Sequence, residues 1–79
     1  MELKDAVAKR VLELCKEYNI KPSRLGKEAG LSNGTMEDIV HARYRTTQLI
    51  NIYEICDYLK ISLKDFFSPD YFVRENVND

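Results

Sequence analysis

Seven residues, Ser32 to Asp38 (SNGTMED), put hydroxyl, amide and carboxylate side chains onto about two helical turns. Asn33 can bond adenine through N6 and N7 together. The methyl and hydroxyl of Thr35 can meet a thymine methyl or a phosphate, and Glu37 or Asp38 can accept from cytosine N4. Gly34 lets a backbone approach closely. Ser32 is a natural N-cap, and the helix start behind it offers free N–H groups to a phosphate. Cations flank the segment: Lys21, Arg24 and Lys27 before it, Arg43 and Arg45 after it with Tyr44 between them. Such cations set register on a phosphate backbone while a helix reads bases. No Lys or Arg lies in residues 32–42, so the frequent Arg–guanine contact is not offered here.

This inventory is for recognition, not reaction. No nucleophile is spaced to a base and there is no Gly-rich phosphate loop, so no catalytic residue and no enzyme activity is expected. Cys15 and Cys56 lie far apart and His41 is the single histidine, which gives no zinc spacing. No metal, cofactor or small-molecule ligand is expected. Both cysteines fall on apolar helical stripes and read as reduced core residues. His41 suits a helix end, where the dipole favours such a residue.

The elements that must position these residues follow from apolar spacing. Residues 3–18 form an amphipathic helix on Leu3, Val7, Val11, Leu14 and Tyr18, with Asn19 suited to a left-handed closing position. A short helix runs from Pro22, apt for a first helical position, to about Ala29, and Gly30 closes it. Leu31 pins the turn, and Met36, Ile39 and Val40 give the next short helix an inner face. A short helix presented by another short helix is a helix-turn-helix. After a polar loop, HARYRTT, Thr46 or Thr47 can cap a helix to about Leu59. Its buried face would be Leu49, Ile52, Tyr53, Cys56 and Leu59, broadened by Ile50 and Ile55. Ser62 and Asp65 resemble a capping box for a last short helix carrying Leu63, Phe66 and Phe67. Pro69 stops it. The tail has no clear period, yet Tyr71, Phe72 and Val73 want an apolar partner. The expectation is an all-α bundle of about five short helices over residues 1–69, with residues 70–79 a tail packing on the core or on a partner.

With 79 residues the chain bounds a single domain. Its 44% hydrophobic and 32% charged residues are those of an ordinary soluble globule. No run is long enough to span a membrane and the charged start, MELKDAVAKR, is unlike a signal peptide, so a cytoplasmic location is expected. Net charge is −1, but residues 1–45 hold nine Lys/Arg against seven Asp/Glu, and residues 46–79 hold three against six. Any basic face therefore lies in the first half, around the helix-turn-helix.

The order RVLEL with Asn19-Ile20, RLGKEAGLSNGTMEDI, then LINIYEICDYLKISLKDFF resembles the Cro/cI-type helix-turn-helix family, the lambda-repressor-like or XRE DNA-binding domains, over about residues 4–67. The resemblance implies a five-helix bundle. It makes Ser32, Asn33, Gly34, Thr35, Glu37 and Asp38 the groove-facing positions, and Arg10 matches a frequent first-helix arginine, either a backbone contact or a structural ion pair. Some positions depart from the pattern. Ser-Gln at the start of the second helix is replaced by Lys21-Pro22, so a phosphate-binding Gln is missing. Gly26 stands where the family usually has Ala, keeping the close helix approach. His41-Ala42 stands for the usual Asn-Gly.

Two functions follow from this resemblance. One is a sequence-specific, repressor-like transcriptional regulator binding double-stranded DNA, with Asn33, Gly34, Thr35, Glu37 and Asp38 at bases and Lys21, Arg24, Lys27, Ser32, Arg43 and Arg45 at the backbone. One domain covers one half-site, so a homodimer on an inverted repeat is expected, of the prokaryotic or phage-like kind. The other is a protein-interaction module on the same fold, antitoxin-like or anti-repressor-like, with little base reading. Low net charge, the acidic helix and the missing Gln favour it. Salt separates them, because phosphate binding weakens steeply as salt rises.

Overall fold

The helices follow the expected periodicities closely, and the ways they end are alike. The computed structural model describes residues 1–79 as an all-helical chain without strands. Helices α1 (Leu3–Glu17), α2 (Pro22–Ala29), α3 (Asn33–Val40), α4 (Leu49–Leu59) and α5 (Leu63–Phe66) are followed by 3₁₀ turns at Asp70–Phe72 and Arg74–Asn76. Each of the first four helices closes through a left-handed residue: Asn19, Gly30, Ala42 and Lys60, with φ of 52°, 87°, 51° and 62°. In each case the next N–H donates to the carbonyl five residues earlier. These bonds are Ile20 to Cys15 (2.9 Å), Leu31 to Gly26 (2.8 Å), Arg43 to Asp38 (3.0 Å) and Ile61 to Cys56 (3.0 Å). That pairing satisfies carbonyls a helix end leaves free and turns the chain sharply. One of the four positions is glycine and one is asparagine, which tolerates the conformation; Ala42 and Lys60 hold a strain that side-chain residues normally avoid.

The core joins Val7, Val11 and Leu14 of α1, Leu25 of α2, Met36 and Ile39 of α3, Ile52, Ile55 and Leu59 of α4, and Phe66. Cys15 and Cys56 are buried, unbridged members of it, and burial pushes both thiols up. Ser62 caps α5 by accepting from the Asp65 N–H at 3.0 Å, as its spacing implies. Arg10 sews the last helix to the first: its Nε donates to Phe66 O at 2.7 Å and its Nη2 to Asp65 O at 2.8 Å. The side chain is only 15% exposed, so its role is structural.

Two expectations for α4 are overturned. It begins at Leu49 with Gln48 as an uncapped N-cap position, and Thr46 and Thr47 stay in the connection. Tertiary packing of Ile52, Ile55, Cys56 and Leu59 sets the helix start, and a favourable capping residue upstream does not override it. Leu49, Ile50 and Tyr53, expected to be buried, are 63%, 56% and 51% exposed. On α1, Leu3 and Tyr18 are likewise exposed.

The tail folds back. Phe72 lies edge-on to Phe67 with centroids 5.0 Å apart and tilted to Phe66 at 6.2 Å. Tyr71 donates its hydroxyl to Glu13 Oε1 and takes Lys9 over its ring at 4.6 Å. Asp79 Oδ1 accepts from Leu3 N–H at 2.9 Å, so an acidic side chain from the tail serves the start of α1, where Glu2 makes no cap.

Candidate nucleic-acid interface

Helix α3 depends on α2 for its position. Gly26 and Leu25 of α2 and Met36 and Ile39 of α3 are buried against each other's helices. A β-carbon on Gly26 would fall on Met36, so the absent side chain sets how closely the two helices cross. Leu31 in the turn is buried in the same core. With the inner face so fixed and Val40 packed against its edge, Asn33, Gly34 and Glu37 are turned outward.

Ser32 caps α3 and also holds the Thr35 side chain. Its Oγ accepts from the Thr35 N–H at 3.1 Å and donates to Thr35 Oγ1 at 2.8 Å. Asn33 and Gly34 are exposed on the first turn, and a β-carbon on Gly34 would meet nothing. The helix then presents two flanks. Thr35 and Asp38 line a polar cleft of about 250 Å³ with Tyr44, Thr47, Gln48 and Asn51. Asn33 and Glu37 line a second one of about 310 Å³ with Pro22, Ser23 and Val40, on the α2 side.

The acidic character of α3 is partly offset within the chain. Asp38 takes Arg43 Nη1 at 3.2 Å; Glu37 takes Arg43 Nη2 at 3.8 Å and His41 Nε2 at 3.1 Å. Arg43 reaches Asp38 because the left-handed Ala42 folds the chain back over the last turn of α3. All four side chains are at least a third exposed, so each pair is weak and exchangeable. A nearby phosphate can therefore compete for Arg43.

The other expected backbone contacts are dispersed. Arg24 is paired to Glu28 at 2.9 Å and, with Lys21, lines a cleft with Tyr18 and Tyr58 at the C-terminal ends of α1 and α4. Lys27 is exposed in the last turn of α2. Arg45 is exposed next to the cleft that holds Leu49 and Phe67. The residues sequence reasoning missed are Gln48 and Asn51, which share the polar cleft with Thr35 and Asp38. No local signal marks them, because their approach to α3 is set by the turn at Ala42 and by where α4 starts.

No helix is long and apolar enough to cross a membrane, and no group of His, Cys, Asp and Glu side chains could hold a metal ion. No curated protein and no solved structure matches the chain. A family model does match: the Cro/C1-type HTH DNA-binding domain, over residues 10–70. That span contains both helices of the motif, the cleft beside them and Arg10 with its partners in α5. The chain belongs to the Cro/C1-type helix-turn-helix family of DNA-binding domains.

Proposed function

We propose that the protein is a sequence-specific transcriptional regulator that represses by occupying an inverted repeat as a homodimer, in the cytoplasm and without enzymatic activity. The observation that carries this reading is the outward face of α3 in a chain of a DNA-binding family. A doubly bonded Ser32 cap, exposed Asn33 and Gly34, and Thr35 beside a polar cleft form a surface that reads base edges. In this reading Asn33, Gly34, Thr35, Glu37 and Asp38 meet bases. Ser32, Lys21, Arg24, Lys27, Arg43 and Arg45 meet the sugar–phosphate backbone, with Arg43 exchanging its carboxylates for phosphate.

One observation favours a second reading. The cation nearest α3, Arg43, is held by Asp38 and Glu37, leaving a surface with an excess of negative charge suited to a protein partner. Selection of bound duplexes from a randomised pool at moderate salt separates the two. An enriched inverted repeat, bound with an affinity that falls steeply with salt, supports the regulator. No enrichment, with binding insensitive to salt, overturns it in favour of the interaction module.

A further inference from the structure

A groove of about 250 Å³ shares Thr46 and Thr47 with the polar cleft beside α3 and differs from it in chemistry. Val7 of α1 and Ile52 of α4 line it and are both buried core residues, so the groove reaches down to the core. Leu3, Leu49 and Phe67 line it while staying exposed, and form its walls. The Phe67 ring stands edge-on to Phe66 at 4.8 Å and to Phe72 at 5.0 Å, so this wall is fixed before any ligand arrives. No local pattern marks the site, because its lining is drawn from residues 3–7, 45–52 and 67.

All of the polar lining is one run of chain, Arg45, Thr46 and Thr47. Arg45 is the single charged residue of the groove, and no acidic residue lines it. Arg10, Arg24 and Arg43 each hold a carboxylate of this chain, whereas Arg45 pairs with none. A guanidinium with two hydroxyls beside it is the donor set for one carboxylate, a planar monoanion that takes two parallel N–H bonds. A dianionic phosphate would leave charge uncompensated by this single cation. Drug-sized ligands fill about 300–1,000 Å³, so a groove of about 250 Å³ suits a smaller body, a short alkyl chain or one ring.

We propose that this groove binds a small carboxylate with an apolar body, its head on Arg45 and its body over Val7 and Ile52. The occupant takes Arg45 away from phosphate, so ligand and DNA antagonise each other. That antagonism rests on the backbone role given to Arg45 above; the binding itself does not.

Titration of sodium octanoate into the isotope-labelled full chain, followed by amide NMR, tests the site. Saturable shifts are expected at Val7, at residues 45–49, at Ile52 and at Phe67, with none at the exposed Leu12 of α1. Hexanoate should bind roughly 15-fold more weakly, about four-fold for each methylene withdrawn from the groove. Octanamide keeps the chain and lacks the charge, and should bind at least about ten-fold more weakly than octanoate. Arg45→Gln should weaken octanoate by a similar factor, with matching circular dichroism melts establishing that the variant folds. Shifts that never saturate, or that reach Leu12 equally, overturn the proposal, as does octanamide binding as tightly as octanoate.

A titration of the selected duplex into the octanoate-saturated chain keeps this site and the regulator reading apart. Weaker duplex binding, with no such loss in Arg45→Gln, supports the antagonism. Duplex binding indifferent to octanoate overturns it. Octanoate held in the groove of a chain that binds no duplex supports the site and removes DNA recognition. Duplex binding by a chain that takes no octanoate leaves recognition standing and removes the site.

Discussion

A β-carbon on Gly26 would lie 2.9 Å from both Cβ and Cγ of Met36. The Met36 Cβ is fixed to the backbone of α3, so it cannot swing aside without moving the helix. Alanine here gains up to ~1 kcal/mol of helix propensity and meets an overpacking penalty of about 1–3 kcal/mol. We expect Gly26→Ala to lower the melting temperature by several degrees in thermal denaturation. DNA affinity should fall with it, because α3 is displaced. An unchanged melt would mean that the two helices separate freely.

Gly34 makes the opposite case. Nothing surrounds the position, so Gly34→Ala should stabilise α3 by up to about 1 kcal/mol. If the backbone lies against a base edge, the added methyl weakens duplex binding. The expected result is a higher melting temperature and a lower affinity in the same variant. Higher stability with unchanged affinity would place Gly34 away from DNA.

Ala42 holds φ 51° without the freedom of glycine. Ala42→Gly should relieve a left-handed strain of about 1–2 kcal/mol, offset in part by the larger entropy of the unfolded chain. A gain of about 1 kcal/mol or less is expected in urea unfolding. A loss would show that the Ala42 methyl has packing value beyond the turn.

Arg43 sits between two roles. Asp38→Asn removes its nearer partner and leaves the guanidinium freer for phosphate. Non-specific duplex affinity is then expected to rise. Arg43→Ala should lower it and reduce the slope of log K against log salt by about 1. A slope unmoved by Arg43→Ala would make the arginine a fixture of α3 and not a clamp.

Tyr71 carries a pH dependence. Burial, then the hydrogen bond to Glu13 and its charge, raise the phenol above its ordinary value near 10. The folded state thus holds the proton more tightly than the unfolded chain. Its contribution is complete below the unfolded value and is lost as pH climbs through the folded one. Stability should therefore fall as pH rises above about 10. Tyr71→Phe should flatten that part of the profile measured by denaturant unfolding. Parallel profiles for the two proteins would assign the alkaline loss elsewhere.

The architecture was readable because each helix carries its own signals. The 3–4 spacing of Val7, Val11 and Leu14, Pro22 at a first turn, the Ser32 cap and Asn19 at a closing position are all local, and all appear as such. The pairing of Glu37 with His41 also follows from i,i+4 spacing. What escaped reading depends on long-range geometry. Arg43 reaches Asp38 only because an alanine adopts a left-handed turn. Leu49, Ile50 and Tyr53 have the spacing of a buried stripe, and periodicity alone does not say which apolar side of α4 the bundle covers. Arg10 bonds carbonyls more than fifty residues away, which no pattern within α1 announces.

That last bond has a consequence for how the molecule opens. A helix of four residues has no standing by itself. Because α5 hangs from Arg10 by the carbonyls of Asp65 and Phe66, and from the core by the fully buried Phe66 ring, it has no independent means of fraying. The backbone-bonded amides of Phe66 and Phe67 are expected to exchange with solvent at the rate of global unfolding, as slowly as those in the middle of α1. The smallest helix then belongs to the most cooperative part of the protein, with the two ends of the family-matched segment opening as one unit.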